Sequence, residues 1–204
     1  MPLLHHMQVS GNSYKVRLCA RQVGFECALK DYPHDSGLTR TPEFLAKNPN
    51  GRVPLLEFED GGCLAESDAI LWYLAEETPL VPALAWDRAK CLEWMFFEQY
   101  SHEPYVAVTR NIMTYLPKEE RAKRAHALPD LIARGNAALG VMETHLAKNE
   151  WFAGVRYSIA DIALYAYTHV ANEGGYDLTK HPAVSRWLKR VAEQPGHIPI
   201  TESW

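Results

Sequence analysis

The distribution of strand patterns along the chain constrains its fold more than any other feature. Residues 1–77 alternate short apolar runs typical of strands with amphipathic helical stretches, whereas strand patterns vanish from Asp87 onward. The order strand–helix–strand, then strand–strand–helix, favours a small layered α/β domain. Residues 78–86 contain two prolines and predict a linker. Residues 87–204 therefore predict a second, all-helical domain.

Composition and charge exclude several classes of protein. The chain has 204 residues, of which 47% are hydrophobic, so it can bury a core and is not disordered. A net charge of −4 argues against nucleic acid or an anionic membrane as its main partner. No stretch approaches the ~20 apolar residues of a membrane span. The N-terminus also lacks the pattern of a signal peptide, and we expect a cytoplasmic protein.

Cysteines and histidines show no metal-binding or disulfide pattern. The four cysteines, Cys19, Cys27, Cys63 and Cys91, are well separated, and we expect them to be reduced thiols. The nine histidines lack the spacing of a zinc site, so no metal is expected. Phosphate-binding and dinucleotide-binding glycine motifs and a nucleophile elbow are also missing from the sequence.

The tetrapeptide SGNS separates the first predicted strand, over residues 3–9, from the first predicted helix, over residues 14–23. The free N–H groups at a helix N-terminus attract anions. The hydroxyl of Ser10 and the amide of Asn12 are candidate donors to such an anion. Alternatively, Ser10, Asn12 and Ser13 merely cap the helix. This segment alone favours the capping interpretation.

Three motifs, SGNSYKVRL, NPNGRVPLLE and ESDAILWYL, follow one another in the first part of the chain, and SIAD and WLKRVAEQPG occur in the second. With these motifs in this order, the chain resembles cytosolic glutathione S-transferases over essentially its whole length. It is most similar to bacterial members that carry a serine where Ser10 stands. The resemblance implies a thioredoxin-like α/β N-terminal domain, an all-α C-terminal domain, a homodimer and a role in detoxification.

The resemblance also implies the chemistry of the SGNS segment. Glutathione would be the co-substrate, with its thiol held as a thiolate by a hydrogen bond from Ser10. A free thiol has a pKa of ~8.5, so a hydrogen bond to the sulfur anion is needed to raise the thiolate fraction at neutral pH. Asn12 is a second candidate donor. Ser10 has no recognisable histidine and aspartate partners of the kind that activate a nucleophilic serine, so we do not interpret it as a covalent nucleophile.

Four further positions and two arginines are the candidates for holding glutathione. The resemblance implies a cis bond between Val53 and Pro54 that turns the backbone of Val53 toward the cysteinyl part of the ligand. The alternative is a strand that simply begins with proline. Glu66 and Ser67 would bind the ammonium and carboxylate of the γ-glutamyl group, unless Ser67 is an ordinary cap of the helix predicted over residues 68–77. The candidates for the glycyl end are Arg40 and Arg52.

The second substrate is expected to lie against the helical domain. Tyr105, Thr109 and Ile112 share one face of a predicted helix, and Gly11 would leave room above the sulfur. Plain core packing explains the same spacing equally well. We predict a glutathione transferase that attacks a small electrophile. The alternatives are a glutathione-dependent reductase of disulfide bonds or peroxides, an isomerase, or a non-enzymatic binding module.

Overall fold

The computed structural model describes residues 1–202, which divide into two compact units. Residues 1–78 and 195–202 form the N-terminal unit, and residues 79–194 form the helical unit. The predicted fold class is confirmed, because the first unit is a thioredoxin-like α/β domain and the second is all-helical. Ser203 and Trp204, which the prediction assigned to the helical domain, lie outside the described residues.

A four-stranded sheet organises the N-terminal unit. Its strands lie in the order β2-β1-β3-β4, with β1 parallel to β2 and the other pairs antiparallel. The strands are β1 (Leu3–His6), β2 (Ala28–Asp31), β3 (Leu55–Glu57) and β4 (Cys63–Ala65). The sequence also predicts strands over residues 26–32, 53–58 and 63–65. β4 matches its predicted range, and the others are shorter because only some residues of each apolar run pair with a neighbouring strand.

Three helices pack with this sheet, namely α1 (Gly11–Val23), α2 (Pro42–Lys47) and α3 (Ser67–Ala75). α2 matches the short helix that the sequence predicts over residues 42–47. α1 begins three residues earlier than predicted because Ser10 is its N-cap, and it ends at Gly24, whose φ of 72° is left-handed. The prediction that Ser67 caps α3 is wrong. Glu66 occupies the cap position, and Ser67 is the first helical residue.

The strand order brings three loops to the same end of the strands, which is the shared edge of the sheet. β3 runs antiparallel to both of its neighbours, and its residue Leu55 pairs with His5 on one side and Ala65 on the other. The end of β1, the beginning of β3 and the end of β4 therefore share an edge. The chain leaves β1 toward Ser10, enters β3 from Val53 and Pro54, and leaves β4 toward Glu66.

The last described residues return to the N-terminal unit, whereas the prediction assigned residues 87–204 to the helical domain. The Tyr14 hydroxyl donates a hydrogen bond to the carbonyl of Ile198 at 2.6 Å, and Arg17 Nη2 donates to the carbonyl of Ile200 at 2.8 Å. Both side chains of α1 are fully buried. Buried donors need acceptors, and the C-terminal segment supplies them.

The helical unit contains six α-helices, which are α4 (Ala85–Phe97), α5 (Glu103–Arg110), α6 (Lys118–Arg124), α7 (Leu128–Leu146), α8 (Ile159–Thr168) and α9 (Pro182–Ala192). The sequence predicts one long helical pattern over residues 87–115, and the structure divides it by π-helical segments at Glu98–His102 and Asn111–Tyr115. Pro104 and Pro129 both lie in the first turn of a helix, where a missing N–H costs little.

Helix α8 is the buried centre of the helical unit, as its apolar sequence predicts. Its Asp161 side chain is fully buried and accepts hydrogen bonds from the backbone N–H of Ser158 at 3.0 Å and Phe152 at 3.2 Å. It also accepts one from Trp187 Nε1 at 2.9 Å. Burial raises the pKa of Asp161 to about 6, although these donors oppose the rise. The predicted SIAD capping box is present and also anchors α9.

The buried imidazole of His6 should make the stability of the protein depend on pH. Its Nδ1 lies 3.1 Å from Arg17 Nη1, and burial together with the Arg17 charge lowers the pKa of His6 from 6.5 to about 4. A lowered pKa in the folded state means that the unfolded chain binds the proton more readily. The contribution of His6 to the free energy of unfolding should therefore fall as the pH is lowered from 6.5 through 4, opposite in sign to the contribution of Asp161. His6→Gln should reduce the pH dependence of the free energy of unfolding by an amount equivalent to about one proton. Urea titrations at several pH values measure this dependence.

The exposed His126 provides the control for this experiment. His126→Gln should leave the slope as it is in the parent protein. Equal slopes for the parent and for His6→Gln would contradict the assignment of the titrating group to His6.

Candidate functional site

The loops at the sheet edge are joined by hydrogen bonds within the N-terminal unit. Ser67 Oγ donates to Asn12 Oδ1 at 3.4 Å, which connects the beginnings of α3 and α1. Asn50 Nδ2 lies 3.5 Å from Glu66 Oε1, which connects the loop before β3 to the beginning of α3. Polar groups from three separate segments therefore surround one region of the surface.

Ser10 is the N-cap of α1 and has an extended backbone, with φ −74° and ψ 126°. Its Oγ accepts a hydrogen bond from the N–H of Ser13 at 3.3 Å, and no acceptor for its own hydroxyl proton lies within residues 1–202. Ser13 is buried, and its hydroxyl accepts from the N–H of Met7 at 3.1 Å. Capping uses a lone pair of Ser10 Oγ and leaves the proton for a ligand, whereas Ser13 holds the loop together.

The Val53–Pro54 bond is cis, in agreement with the expectation from the resemblance. Neither the N–H nor the C=O of Val53 has a hydrogen-bond partner in the part of the chain that the structure describes. Backbone groups are obligatory hydrogen-bonding groups, so this pair is available to an extended peptide.

Asn48 supports this loop and was not anticipated from the sequence. It is 5% exposed, its Nδ2 donates to the carbonyl of Arg52 at 2.8 Å, and its Oδ1 accepts from the N–H of Asn50 at 3.1 Å. The NPNG pattern of residues 48–51 predicts only the end of α2. The signal that could have revealed Asn48 is its own side chain, because asparagine commonly bonds the backbone two residues further along.

Glu66 has a left-handed backbone, with φ 68°, a conformation that costs a non-glycine residue roughly 1–3 kcal/mol. In residues 1–202 the only other non-glycine residue of this kind is Asp35. The side chain of Glu66 is exposed, whereas Ser67 is 5% exposed. Residues in strained backbone conformations cluster at active sites and ligand-binding sites, so Glu66 is a candidate for one.

The buried Lys15 and the partly buried Asp68 form an ion pair next to Ser67, and sequence reasoning missed both residues. Lys15 Nζ lies 3.1 Å from Asp68 Oδ1 and 3.4 Å from Ser67 Oγ, and the Lys15 side chain is wholly buried. Burial raises the pKa of Asp68, and the charge of Lys15 opposes the rise. The available signal is a lysine next to the apolar residues of the α1 sequence, between Tyr14 and Val16.

The two candidate arginines differ in how the structure holds them. Both side chains are exposed. Arg40 Nη1 donates to the carbonyl of Asn50 at 3.1 Å and packs over Gly51, where an added Cβ would lie 2.5 Å from that nitrogen. The left-handed φ of Gly51, 62°, also disfavours a side chain there. Arg40 is thus attached to the loop that carries Val53, whereas Arg52 belongs to that loop.

The residues proposed for the second substrate occupy different environments. Gly11 is buried at the first position of α1, next to Ser10. In the helical unit Thr109 and Ile112 are buried core residues, and Thr109 Oγ1 is 3.2 Å from the Tyr176 hydroxyl. Tyr105 is half-buried, and of the three it alone keeps surface that a ligand could contact. These positions agree with the core-packing alternative for Thr109 and Ile112.

Residues 1–202 contain neither a candidate metal site nor a candidate membrane-spanning helix. Within that range no three His, Cys, Asp or Glu side chains are grouped in a way that could hold a metal ion. Nor does any helix there combine the length and hydrophobicity needed to cross a membrane. No disulfide bond joins the four cysteines within the described residues, and Cys63 is exposed whereas the others are buried.

Comparisons with known proteins agree with both units. Residues 4–82 match the family model of the glutathione S-transferase N-terminal domain, and residues 99–195 match that of the C-terminal domain. The crystal structure of a glutathione S-transferase from Pseudomonas fluorescens [Pf-5] is 46% identical, with a TM-score of 0.94. The match covers 98% of this chain and 99% of that chain.

Two curated relatives extend the comparison. The glutathione S-transferase-like protein LUC7 of a Fusarium species is 31% identical over 202 residues, covering 93% of this chain and 88% of the relative. The disulfide-bond oxidoreductase YfcG of Escherichia coli K12 is 28% identical, covering 91% of this chain and 87% of the relative. With both domain models matched and nearly the whole chain aligned, this protein belongs to the glutathione S-transferase family.

Proposed function

We propose that this protein is a glutathione transferase, which ionises the thiol of glutathione and directs the thiolate at a small electrophile. The observation that carries the proposal is the Ser10 hydroxyl, whose proton is uncommitted at the N-terminus of α1. The loops joined to this helix supply the unpaired backbone of Val53 and the turn at Glu66 and Ser67. Four cysteines that form no disulfide bond with one another support a reducing, cytoplasmic location.

Each part of glutathione has a complementary group in this arrangement. The γ-glutamyl carboxylate would accept hydrogen bonds from the Ser67 hydroxyl and the first N–H groups of α3, and Glu66 would pair with the ammonium. The cysteinyl backbone would pair with Val53 in the manner of an added strand, next to the buried Pro54. Arg40 and Arg52 would serve the glycyl carboxylate.

The proposed chemistry depends on stabilising a sulfur anion. A hydrogen bond from Ser10, together with the positive N-terminus of α1, favours the thiolate over the thiol and lowers its pKa. The released proton passes to solvent. The thiolate sulfur then forms a bond to the electrophilic carbon, and the leaving group departs with its electron pair. Binding the two substrates side by side supplies the remaining rate enhancement through proximity.

Reduction of disulfide bonds is a second candidate function. Asn12 lies beside Ser67 and could donate to the sulfur in place of Ser10, and one relative is named a disulfide-bond oxidoreductase. In that reaction a glutathione thiolate attacks a disulfide, forming a mixed disulfide and releasing one thiol. A second glutathione then resolves it, so two glutathione molecules are oxidised as one disulfide is reduced. Rates with chlorodinitrobenzene and with hydroxyethyl disulfide separate the two functions. A binding module would bind glutathione and turn over neither.

Ser10→Ala should raise the apparent pKa of the thiol of bound glutathione by about 1–2 units, because a charge-assisted hydrogen bond of ~1.5–3 kcal/mol is lost. The thiolate absorbance of the complex, titrated against pH, measures this change. The affinity for glutathione at low pH should change less, since the neutral thiol does not need the donor. Ser10→Thr keeps a hydroxyl and a cap, and it should retain most of the effect.

Asn12→Ala and Ser13→Ala are the parallel controls for Ser10. The absorbance titration should be unchanged in Ser13→Ala if the variant folds. A wild-type profile in Ser10→Ala together with a shifted profile in Asn12→Ala would identify Asn12 as the donor. That outcome would favour disulfide reduction over transfer.

Glu66→Ala and Ser67→Ala should each weaken the binding of glutathione by about 1–3 kcal/mol, because each leaves a charged ligand group without its partner. Titration calorimetry measures the change. Asp35→Ala is the matched control, since Asp35 is also acidic, exposed and left-handed. Unchanged affinity in both site variants would show that the γ-glutamyl group binds elsewhere.

We also propose that the protein is a homodimer, as the family resemblance implies. In the helical unit, large apolar side chains are exposed along α4 and the π-helical segment that follows. The exposed fractions are 36% for Leu92, 69% for Phe96 and 84% for Tyr100, residues that recur every four positions. In the N-terminal unit Tyr73 is 54% exposed and Trp72 is half-buried. Exposed apolar surface of this kind commonly marks an interface.

Phe96→Glu should convert the dimer to a monomer, because a charge would be buried in an apolar contact. Sedimentation velocity measures the mass. Val141→Glu, at an exposed apolar position on α7, is the control that should leave the mass unchanged. A parent protein that sediments as a monomer would refute the proposed dimer.

A further inference from the structure

We propose that Lys15 is a positioning residue for the γ-glutamyl carboxylate of glutathione. Its ammonium holds the Ser67 hydroxyl as a hydrogen-bond donor and offsets the acidic side chain of Asp68. The inference rests on the proposed function, because it concerns how the glutathione site recognises one end of its ligand.

The first line of evidence is that stability alone does not explain Lys15. Lysine is almost never fully buried unless it is paired, yet this side chain is wholly buried on α1, whose buried residues are mostly apolar apart from Ser13 and Arg17. Replacing a buried ion pair by well-packed apolar residues is often neutral or stabilising. A buried lysine that contacts both Ser67 and Asp68 is better explained by what it does to those residues.

The second line of evidence is the direction of the hydrogen bonds. An ammonium group only donates, so Ser67 Oγ must accept from Lys15 Nζ, which lies 3.4 Å away. The hydroxyl proton of Ser67 must then point to another acceptor, which in the structure is Asn12 Oδ1 at 3.4 Å. A carboxylate is a stronger acceptor than an amide oxygen. Lys15 therefore presents Ser67 as a donor that an incoming carboxylate can take over from Asn12.

The third line of evidence is the charge around this position. Two acidic residues, Glu66 and Asp68, flank Ser67, and they interact electrostatically with one another. Asp68 Oδ1 is paired with Lys15, but Asp68 Oδ2 is buried and has no hydrogen-bond partner among residues 1–202. Without Lys15, the ligand carboxylate would approach a buried and uncompensated carboxylate of the same charge. Glu66 can still serve the ligand ammonium.

The test compares Asp68→Asn with the double variant Lys15→Met/Asp68→Asn. The comparison removes the lysine without leaving a buried, unpaired carboxylate, so both proteins should fold. The two probes are glutathione and γ-aminobutyryl-cysteinyl-glycine, which lacks only the α-carboxylate. Adding Lys15→Met should weaken glutathione binding about tenfold or more and change binding of the analogue by less than about twofold. Titration calorimetry measures both affinities, and urea unfolding verifies the fold.

Lys47→Met is the matched control, since Lys47 is a partly exposed lysine of the same unit that is paired with Glu57. It should change neither affinity. Equal losses for both ligands on adding Lys15→Met would show that Lys15 only supports the fold, and this would overturn the inference. The absence of any loss would overturn it as well. If the parent protein fails to bind glutathione, both the proposed function and the inference are refuted. If the parent binds glutathione but adding Lys15→Met affects both ligands equally, only the inference is refuted.

Discussion

The antiparallel pairing of β3 with both of its neighbours is the constraint on which the N-terminal unit depends. This pairing directs the end of β1, the beginning of β3 and the end of β4 to the same edge of the sheet. Residues separated by more than fifty positions, such as Asn12 and Ser67, meet for this reason alone. A slip of one residue in the register would turn every strand side chain to the opposite face and separate these loops.

The hydroxyl groups of Ser10 and Ser67 at this edge can each accept one hydrogen bond and donate another. Ser10 caps α1 with a lone pair and keeps its proton, and Ser67 accepts from Lys15 while it donates to Asn12. A hydroxyl both donates and accepts, so one group can complete the fold and still face a ligand. The capping and binding interpretations of Ser10 are therefore compatible, because capping uses a lone pair of the hydroxyl and the proposed binding would use its proton.

The predicted site residues of the two units lie in different environments. In the N-terminal unit every predicted contact to glutathione is on the loops at the shared edge or in the segment that Arg40 anchors to them. In the helical unit Thr109 and Ile112 are core residues. A helical repeat of apolar residues identifies a buried face but does not distinguish protein from ligand as its partner. Turn chemistry is more specific, since few residue types satisfy a given backbone geometry.

Local patterns in the sequence by themselves determined the fold class, the motifs of the site, the range of α2 and the capping box of α8, because capping and turn chemistry act within a few residues. Only the tertiary structure decided that Glu66 rather than Ser67 caps α3, that Lys15 is buried against Asp68, and that residues 195–202 return to the N-terminal unit. Each of these depends on partners distant in the chain. A buried lysine or an unsatisfied tyrosine hydroxyl needs a counter-charge or an acceptor, and only the folded chain shows which distant segment provides it.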